Sequence, residues 1–266
     1  MTPTALDRYL ARSSVIHRLD PRVKVTLTVL FVVSNVVVPD GAWPAFALAW
    51  AILVAGNLLG SLGPWFTLRR SFVALPFALV AVTAMFAVPG QPLFTLTLGS
   101  TQLVATDAGL VRVVSIALRT WLSVQVAILL TATTRFPDLM HALRHLRLPA
   151  LLVAIVAFMY RYLFVLTDET QRLLRARDAR SARLPGVTGG GSWRWRARVA
   201  GSMAGQLFLR SYERSDRVYQ AMLARGYRGE LLSLNPHRLR RSDLLFLFSG
   251  GVALILIQIV GRVRLG

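Results

Sequence analysis

The sequence predicts an all-α polytopic membrane protein. Apolar residues make up 55% of the 266 positions, and they form uninterrupted runs close to the ~20 residues that a membrane-spanning helix needs. The formal net charge of +19 is concentrated in a few Arg-rich segments between these runs, as is typical of cytoplasmic loops. We therefore expect about five transmembrane helices, one membrane-embedded or interfacial helix, and two long amphipathic helices on the cytoplasmic side.

The apolar runs that we expect to span the membrane cover residues 25–38, 43–59, 72–88, 110–134 and 244–260. The turn signal Pro39-Asp40-Gly41 follows the first run, and the segment 89–109 has no Lys or Arg, so both connections are expected outside. Arg69 and Arg70 lie in the connection between the second and third runs and favour an inside position for it. This alternation places the N-terminus in the cytoplasm.

The apolar run 148–166 is a separate case because Arg161 interrupts it and basic blocks flank it on both sides. A full crossing would move the longest Arg-rich block out of the cytoplasm, so we expect a membrane-embedded or interfacial helix. An ordinary sixth span is the alternative, since long loops obey the charge rule less strictly. The expected regions are an N-terminal membrane domain (1–134), a cytoplasmic region (135–232) and a C-terminal transmembrane helix (233–266).

Two amphipathic helices are predicted within the cytoplasmic region. The first is expected to begin at Asp168 and Glu169, where a helix dipole favours anions, and to be broken by Pro185-Gly186 and the glycines of 189–191. Ser192 is a plausible N-cap for the second, whose apolar pairs recur at helical spacing. Gly201 and Gly205 form a small-xxx-small motif, which allows another helix to pack closely. This motif is common in apolar helices and does not by itself indicate a function.

Both amphipathic helices end in the pattern Ala-x-x-Ala-Arg followed by a small residue. The residues at the two ends are Ala179, Arg180 and Ser181, and Ala224, Arg225 and Gly226. An Arg at this position complements the helix dipole, and Gly226 can take the left-handed conformation that closes a helix. One interpretation is that these are the features of an ordinary capped helix. Their repetition favours another, in which each helix ends in a slim tip whose arginine pairs with a carboxylate in a groove of a partner protein.

The chemistry of catalysis and metal binding is sparse in this sequence. Lys24 is the single lysine and no P-loop surrounds it, cysteine is absent, and the twelve acidic residues are scattered, so we expect no catalytic residues. His141 and His145 have a spacing that suits a metal, but the arginines around them would repel a cation, so an interface or solvated helix is preferred. The arginines flank apolar runs rather than form a basic domain, so no nucleic-acid partner is expected.

At its start, the chain resembles the T components of energy-coupling-factor (ECF) transporters. The motif runs from His17 to Lys24 and is carried by Leu19, Asp20, Pro21, Arg22 and Lys24, directly before an apolar helix. The later segment 210–227 is similar to the cobalt branch of that family, the CbiQ type. The two motifs occur in the family's order and the resemblance covers most of the chain.

The resemblance implies a non-catalytic coupling subunit in a bacterial inner membrane. A T component joins a substrate-binding membrane subunit to two copies of an ABC-type ATPase, and its coupling helices end in Ala-Arg-Gly motifs that dock in the ATPase grooves. Ala224, Arg225 and Gly226 match fully, whereas Ser181 replaces the glycine of the first copy. ATP and Mg²⁺ would bind to the ATPase and Co²⁺ or Ni²⁺ to the substrate-binding subunit, so this chain would bind no cofactor.

Other functions stay open from the sequence. Nickel or vitamin uptake uses similar T components, and the sequence does not identify the substrate. A membrane-embedded lipid-modifying enzyme would share the apolar helices and the basic face, but it should show acidic metal-binding clusters. A structural membrane anchor would tolerate loss of the Arg at either tip.

Overall fold

The computed structural model describes residues 9–74, 76, 80–86, 88–98, 101–146, 148–180, 192–229 and 239–263. Most of these residues are helical. The helices are α1 (Val15–Arg18), α2 (Pro21–Val37), α3 (Trp43–Leu59), α4 (Pro64–Ser71), α5 (Asp107–Thr133), α6 (Phe136–His145), α7 (Ala150–Arg180), α8 (Trp193–Ala224) and α9 (Arg241–Val263). Short 3₁₀ turns cover Phe72–Ala74 and Val82–Met85, and an antiparallel hairpin is formed by β1 (Pro92–Leu98) and β2 (Thr101–Thr106).

The helices confirm the all-α class of membrane protein. By length and composition, α5, α7 and α9 can cross a membrane, and α3 is a shorter apolar helix. Helix α3 covers the predicted run 43–59, and α5 and α9 contain most of the runs 110–134 and 244–260. Helix α2 begins four residues before the predicted run 25–38, because Asp20 caps it and Pro21 occupies its first turn.

The predicted span 72–88 is wrong as one regular helix. Among the described residues, Phe72–Ala74 and Val82–Met85 form 3₁₀ turns and Pro76, Val80 and Ala81 are α-helical, while residues 75, 77–79 and 87 lie outside the description. Pro76 supplies the physical reason, since a proline removes one helical N–H and clashes with the carbonyl four residues earlier, here that of Phe72.

The hairpin of β1 and β2 lies where the sequence suggested only a loop. It leads directly into α5, whose first turn is capped by Thr106, because Thr106 Oγ1 accepts a hydrogen bond of 3.0 Å from the Gly109 N–H. A Cβ atom at Gly109 would lie 2.3 Å from the carbonyl oxygen of Met85, so this close approach requires glycine.

The chain folds into two compact units, Met1–Leu146 with Pro236–Gly266, and Arg147–Asn235. The predicted regions with limits at 134 and 232 concern the placement of segments across a membrane. That division therefore stays a prediction.

The core of the first unit is formed by α2, α3, α5 and α9. Its buried side chains include Phe31, Phe46, Leu53, Leu122 and Ile257. Polar side chains add hydrogen bonds between the same helices: Asn35 Nδ2 donates to the Arg119 carbonyl at 2.9 Å, and Gln258 Nε2 donates to the Ser34 carbonyl at 2.7 Å. Such bonds are typical between helices in a membrane, where apolar contact alone discriminates poorly.

The second unit is an antiparallel pair of long helices. Helix α7 has 31 residues and is about 46 Å long, and α8 has 32 residues. One groove is lined by residues 151–166 of α7 and 211–222 of α8, and another by 169–180 of α7 and 195–210 of α8. An ion pair of 2.5 Å between Arg210 Nη1 and Glu169 Oε1 joins the two helices.

The predicted start of an amphipathic helix at Asp168 and Glu169 is wrong. Both residues lie inside α7, which continues without interruption from the apolar run 148–166 to Arg180. No Gly or Pro occurs between Ala150 and Arg180, so nothing in the sequence breaks the helix there.

Candidate functional site

Gly226 closes the second predicted tip, at the end of α8. Its φ is +81°, its N–H donates to the Leu223 carbonyl at 2.9 Å, and the Tyr227 N–H donates to the Met222 carbonyl at 3.0 Å. These two bonds form a Schellman motif, which satisfies carbonyl groups that the helix leaves unpaired. The left-handed conformation predicted for Gly226 is therefore confirmed.

The closed end of α8 presents Arg225 to solvent. Arg225 is the C-cap residue, with φ −89° and ψ 7°, and its backbone N–H is held by the last turn. Ala224 and Arg225 are both exposed. Among the described residues, the Arg225 guanidinium makes no hydrogen bond or ion pair. The tip is thus a rigid backbone that carries one charged group available to a partner.

Ala179 and Arg180 form the last described residues of α7, and both are exposed. Ser181 lies outside the described residues, so its effect on the helix end stays a prediction. Near this end, Arg177 pairs with Asp178 at 2.8 Å. No described carboxylate pairs with Arg180.

The two tips lie at opposite ends of the α7–α8 pair. Arg180 shares a groove with Trp195, near the start of α8, whereas Met222 and Tyr227, beside the second tip, share a groove with Leu151, near the start of α7. This antiparallel arrangement separates the tips by roughly the length of the helices, about 45 Å. The sequence repeat does not indicate this separation, because it fixes the ends of the helices but not their relative direction.

The N-terminal motif forms a junction between helix ends in the first unit. Asp20 is the N-cap of α2, since its Oδ1 accepts the Arg22 N–H at 2.9 Å. The Asp20 N–H in turn donates to Asp243 Oδ1 at 3.1 Å, and Asp243 Oδ2 accepts the Arg240 N–H at 2.8 Å at the start of α9. Asp20 and Asp243 are 4% and 2% exposed, so this link between two helix starts is shielded from water.

Leu19 and Lys24 extend the junction to α1 and α5. Leu19 is buried at the end of α1. The buried Lys24 donates from Nζ to the Thr133 carbonyl at 3.1 Å and to the His17 carbonyl at 3.4 Å. Thr133 is the last residue of α5. The carbonyl groups of a helix's last turn have no partner within the helix, so a cation is favourable there.

Arg22 connects the motif to α6 through both histidines of that helix. Its Nη1 donates to His145 Nε2 at 2.8 Å and its Nη2 donates to His141 Nε2 at 3.0 Å. The Nε2 lone pairs that a metal would use are thus directed at a guanidinium. The preferred interpretation of this His pair as part of an interface agrees with the geometry, and the described residues contain no group of three or more potential ligands.

The motif therefore joins the ends of α1, α2, α5, α6 and α9. The sequence identified the motif residues but not their partners Asp243, Thr133, His141 and His145. The sequence offered a signal for Asp243 alone, because an acidic residue in the first turn of an apolar helix is typical of a helix start.

The part of the chain that matches known proteins includes both sets of residues. The family model CbiQ, described as a cobalt transport protein, matches residues 12–236, which include the N-terminal motif and both tips. The chain is 28% identical over 245 residues to the energy-coupling factor transporter transmembrane protein EcfT of Listeria innocua, covering 86% of each chain. The protein of that name from Thermanaerovibrio acidaminovorans is 30% identical over 234 residues, covering 84% of this chain and 83% of that one.

A further relative has no assigned role. It is an uncharacterised protein of Methanocaldococcus jannaschii, 25% identical over 260 residues, with 96% of this chain and 86% of the other covered. The similarity to all three relatives therefore extends over most of the chain.

Proposed function

The chain belongs to the CbiQ family of cobalt transport proteins, as the T component of an ECF transporter, and we propose that it couples a partner ATPase to cobalt uptake. It is a membrane protein and a non-catalytic transporter component. In the proposed complex, two copies of an ABC-type ATPase bind ATP and Mg²⁺. A separate membrane subunit binds Co²⁺.

The observation that carries this proposal is the pair of exposed arginine tips at opposite ends of one helical unit. Arg225 and Arg180 have no ionic partner among the described residues. A guanidinium forms two parallel hydrogen bonds with a carboxylate, which suits an acidic position in a groove of a partner protein. Two separated tips can contact two ATPase copies at the same time, one tip on each copy.

The mechanism requires that motion at the tips reaches the substrate-binding subunit. ATP binding would draw the ATPase copies together and displace both tips. Helix α7 has no Gly or Pro along its 31 residues, so it would transmit the displacement without bending. The moving unit would then shift the contact with the substrate-binding subunit and release the ion inward.

The packing of α8 supports an interfacial position for the apolar half of α7. Residues 211–222 lie alongside this apolar half, and they include Glu213, Arg214, Asp216 and Arg217. If this pair crossed the hydrocarbon core, each such charge would cost about 2.5 to 3.5 kcal/mol or more at its centre. We therefore place α7 and α8 at the cytoplasmic surface of a bacterial inner membrane, with the N-terminus also in the cytoplasm.

Cobalt is the substrate named by the family description. The described residues of this chain contain no cluster of His, Cys, Asp or Glu suited to a metal ion. We propose that the ion ligands lie in the substrate-binding subunit, which would also determine the preference for cobalt over nickel or a vitamin.

The test is co-expression of the full chain with its ATPase and substrate-binding subunits. We expect Arg225→Glu to reduce the amount of ATPase that co-purifies with the chain and to reduce ATP-driven uptake of radioactive cobalt. The double variant with Arg180→Glu should lose both. Arg228→Glu is the matched control, because Arg228 is exposed just beyond the same helix end.

Normal assembly and uptake in the double variant would refute the docking role of the tips. Normal assembly with uptake of nickel or a vitamin, but not of cobalt, would refute only the assignment of cobalt as the substrate.

A further inference from the structure

The first six residues of α8 form an exposed surface of alternating aromatic and basic side chains. This Trp–Arg segment is Trp193-Arg194-Trp195-Arg196-Ala197-Arg198, and all six residues are exposed. Trp193 is 81% exposed and Trp195 is 44% exposed. An indole ring in bulk water leaves a large apolar area unburied, so this surface is unusual for a segment that faces only solvent.

The end of α7 adds more arginines beside this segment. A groove of about 680 Å³ is lined by Arg172, Arg177 and Arg180 of α7 and by Trp195 and Arg210 of α8. The structure thus places the basic end of one helix opposite the Trp–Arg segment of the other, although twelve residues separate α7 from α8 in the chain.

The charge of this region is largely uncompensated. Glu169 pairs with Arg210 at 2.5 Å and Asp178 pairs with Arg177 at 2.8 Å. Within the described part of the chain, no carboxylate pairs with Arg172 or Arg180. The surface therefore presents a positive field, with indole rings at its edge, and its chemistry suits an anionic partner.

Two properties identify a phospholipid surface as that partner. Tryptophan is enriched at the level of lipid headgroups, because its side chain combines an apolar ring with a polar N–H. Arginine binds phosphate oxygens through two parallel hydrogen bonds. Clusters of four to eight basic residues next to an apolar segment are typical of contact with anionic lipids. Here Arg172 lies on the same helix just beyond the apolar run 148–166, and Leu163 and Leu174 on either side of it are exposed.

We propose that the Trp–Arg segment and Arg172 form a binding surface for the headgroups of anionic phospholipids. The phosphate groups would contact Arg172, Arg194 and Arg198, and Trp193 would lie between headgroups. This contact would hold the start of α8 at the membrane, independently of the contact that Arg225 is proposed to make with an ATPase.

The full chain, purified in detergent, provides the test. It is incubated with equal amounts of phosphatidylglycerol and phosphatidylcholine, and the lipids that stay bound are counted by native mass spectrometry. We expect preferential retention of phosphatidylglycerol. The double variant Arg194→Gln with Arg198→Gln should reduce this retention about tenfold, since each basic residue near an anionic surface contributes to the attraction.

The matched control is Arg217→Gln with Arg228→Gln, which removes the same charge from exposed positions near the other end of α8. This control should retain phosphatidylglycerol like the wild type, and the Arg194 and Arg198 variant should still co-purify with the ATPase.

Three results would overturn the proposal. One is equal retention of the two lipids by the wild type, and another is an equal loss in both double variants. The third is normal lipid retention with loss of the ATPase in the Arg194 and Arg198 variant, which would assign the surface to a protein partner.

Discussion

Arg22 and His145 are 123 residues apart in the chain, and Arg22 Nη1 donates a hydrogen bond of 2.8 Å to His145 Nε2. The second terminal nitrogen of the same guanidinium donates to His141, so one planar group binds two consecutive turns of α6. Because a guanidinium stays protonated, both imidazole Nε2 atoms must act as acceptors in this arrangement. The link thus depends on the fork of arginine and not on its charge alone.

Arg22→Lys should destabilise the chain although it keeps the charge. A single ammonium group cannot reproduce the two directed bonds to His141 and His145, and we expect a loss of about 1 to 3 kcal/mol in the free energy of unfolding. Thermal unfolding in detergent measures the change. Arg18→Lys is the control, because Arg18 is exposed in the neighbouring helix. Equal unfolding midpoints for the two variants would contradict the role of the fork.

Asp243→Asn should weaken the junction between α2 and α9. The Asp243 carboxylate accepts backbone N–H groups of Asp20 and Arg240, one on each oxygen, at a position that is 2% exposed. An asparagine offers one oxygen and turns an NH₂ group toward the other donor, so we expect a loss of about 1 to 3 kcal/mol. Unfolding midpoints should stay unchanged for the exposed control Asp216→Asn. A midpoint for Asp243→Asn within the range of that control would contradict this interpretation.

The pH dependence of stability should include a contribution from His17. Burial is the main cause that lowers the pKa of His17 below its ordinary value of 6.5, with further lowering by Lys24 and Arg12 and an opposing effect of the Leu10 carbonyl. The imidazole lies 3.0 Å from that carbonyl and 2.6 Å from Ser14 Oγ.

Since the unfolded chain binds the His17 proton more tightly, the contribution is fully present above pH 6.5 and is lost as the pH falls through the lower folded-state pKa. Unfolding midpoints between about pH 7.5 and pH 5 should therefore fall more steeply for the wild type than for His17→Gln. Parallel curves for the two proteins would show that His17 does not contribute.

Gly226→Ala should loosen the tip of α8 without a steric clash. Apart from its two chain neighbours, no described residue has an atom within 4 Å of the position that a Cβ would take, so the φ of +81° determines the cost, about 1 kcal/mol. Hydrogen exchange of peptides covering residues 221–229 should become faster. Gly226→Asn should show a smaller effect, because asparagine tolerates the left-handed conformation better. Equal exchange in the wild type and the alanine variant would contradict the importance of this closure.

Local patterns in the sequence predicted those parts of the fold that local physics determines. The run 43–59 became α3, and Gly226 closed α8 in the expected conformation, because apolar length and backbone freedom act within a few residues. The run 72–88 was predicted wrongly from its apolarity, since Pro76 disrupts regular helix geometry inside it. Asp168 has the chemistry of a helix start, but α7 passes through it without a break.

In the candidate site, too, features set by neighbouring residues were predictable and contacts between distant residues were not. The tips and the N-terminal motif were visible as short strings of residues, whereas the partners of the motif were not. Arg22 contacts His145 and Asp20 contacts Asp243 only after the helices pack, and pairings across 123 and 223 residues leave no local pattern in a single sequence. The opposite positions of the two tips depend likewise on the antiparallel packing of α7 and α8.

The ion pair of Glu169 with Arg210 joins α7 and α8 nearer to their middle than to their ends, with Arg180 and Arg225 beyond it on either side. Two helices that are joined in this way can move together as one rigid beam. Forces that act in the same direction on both ends would translate the beam, whereas forces in opposite directions would rotate it. If the two tips contact two ATPase copies as proposed, the relative direction of the two displacements would determine whether a membrane subunit attached to this pair slides or turns.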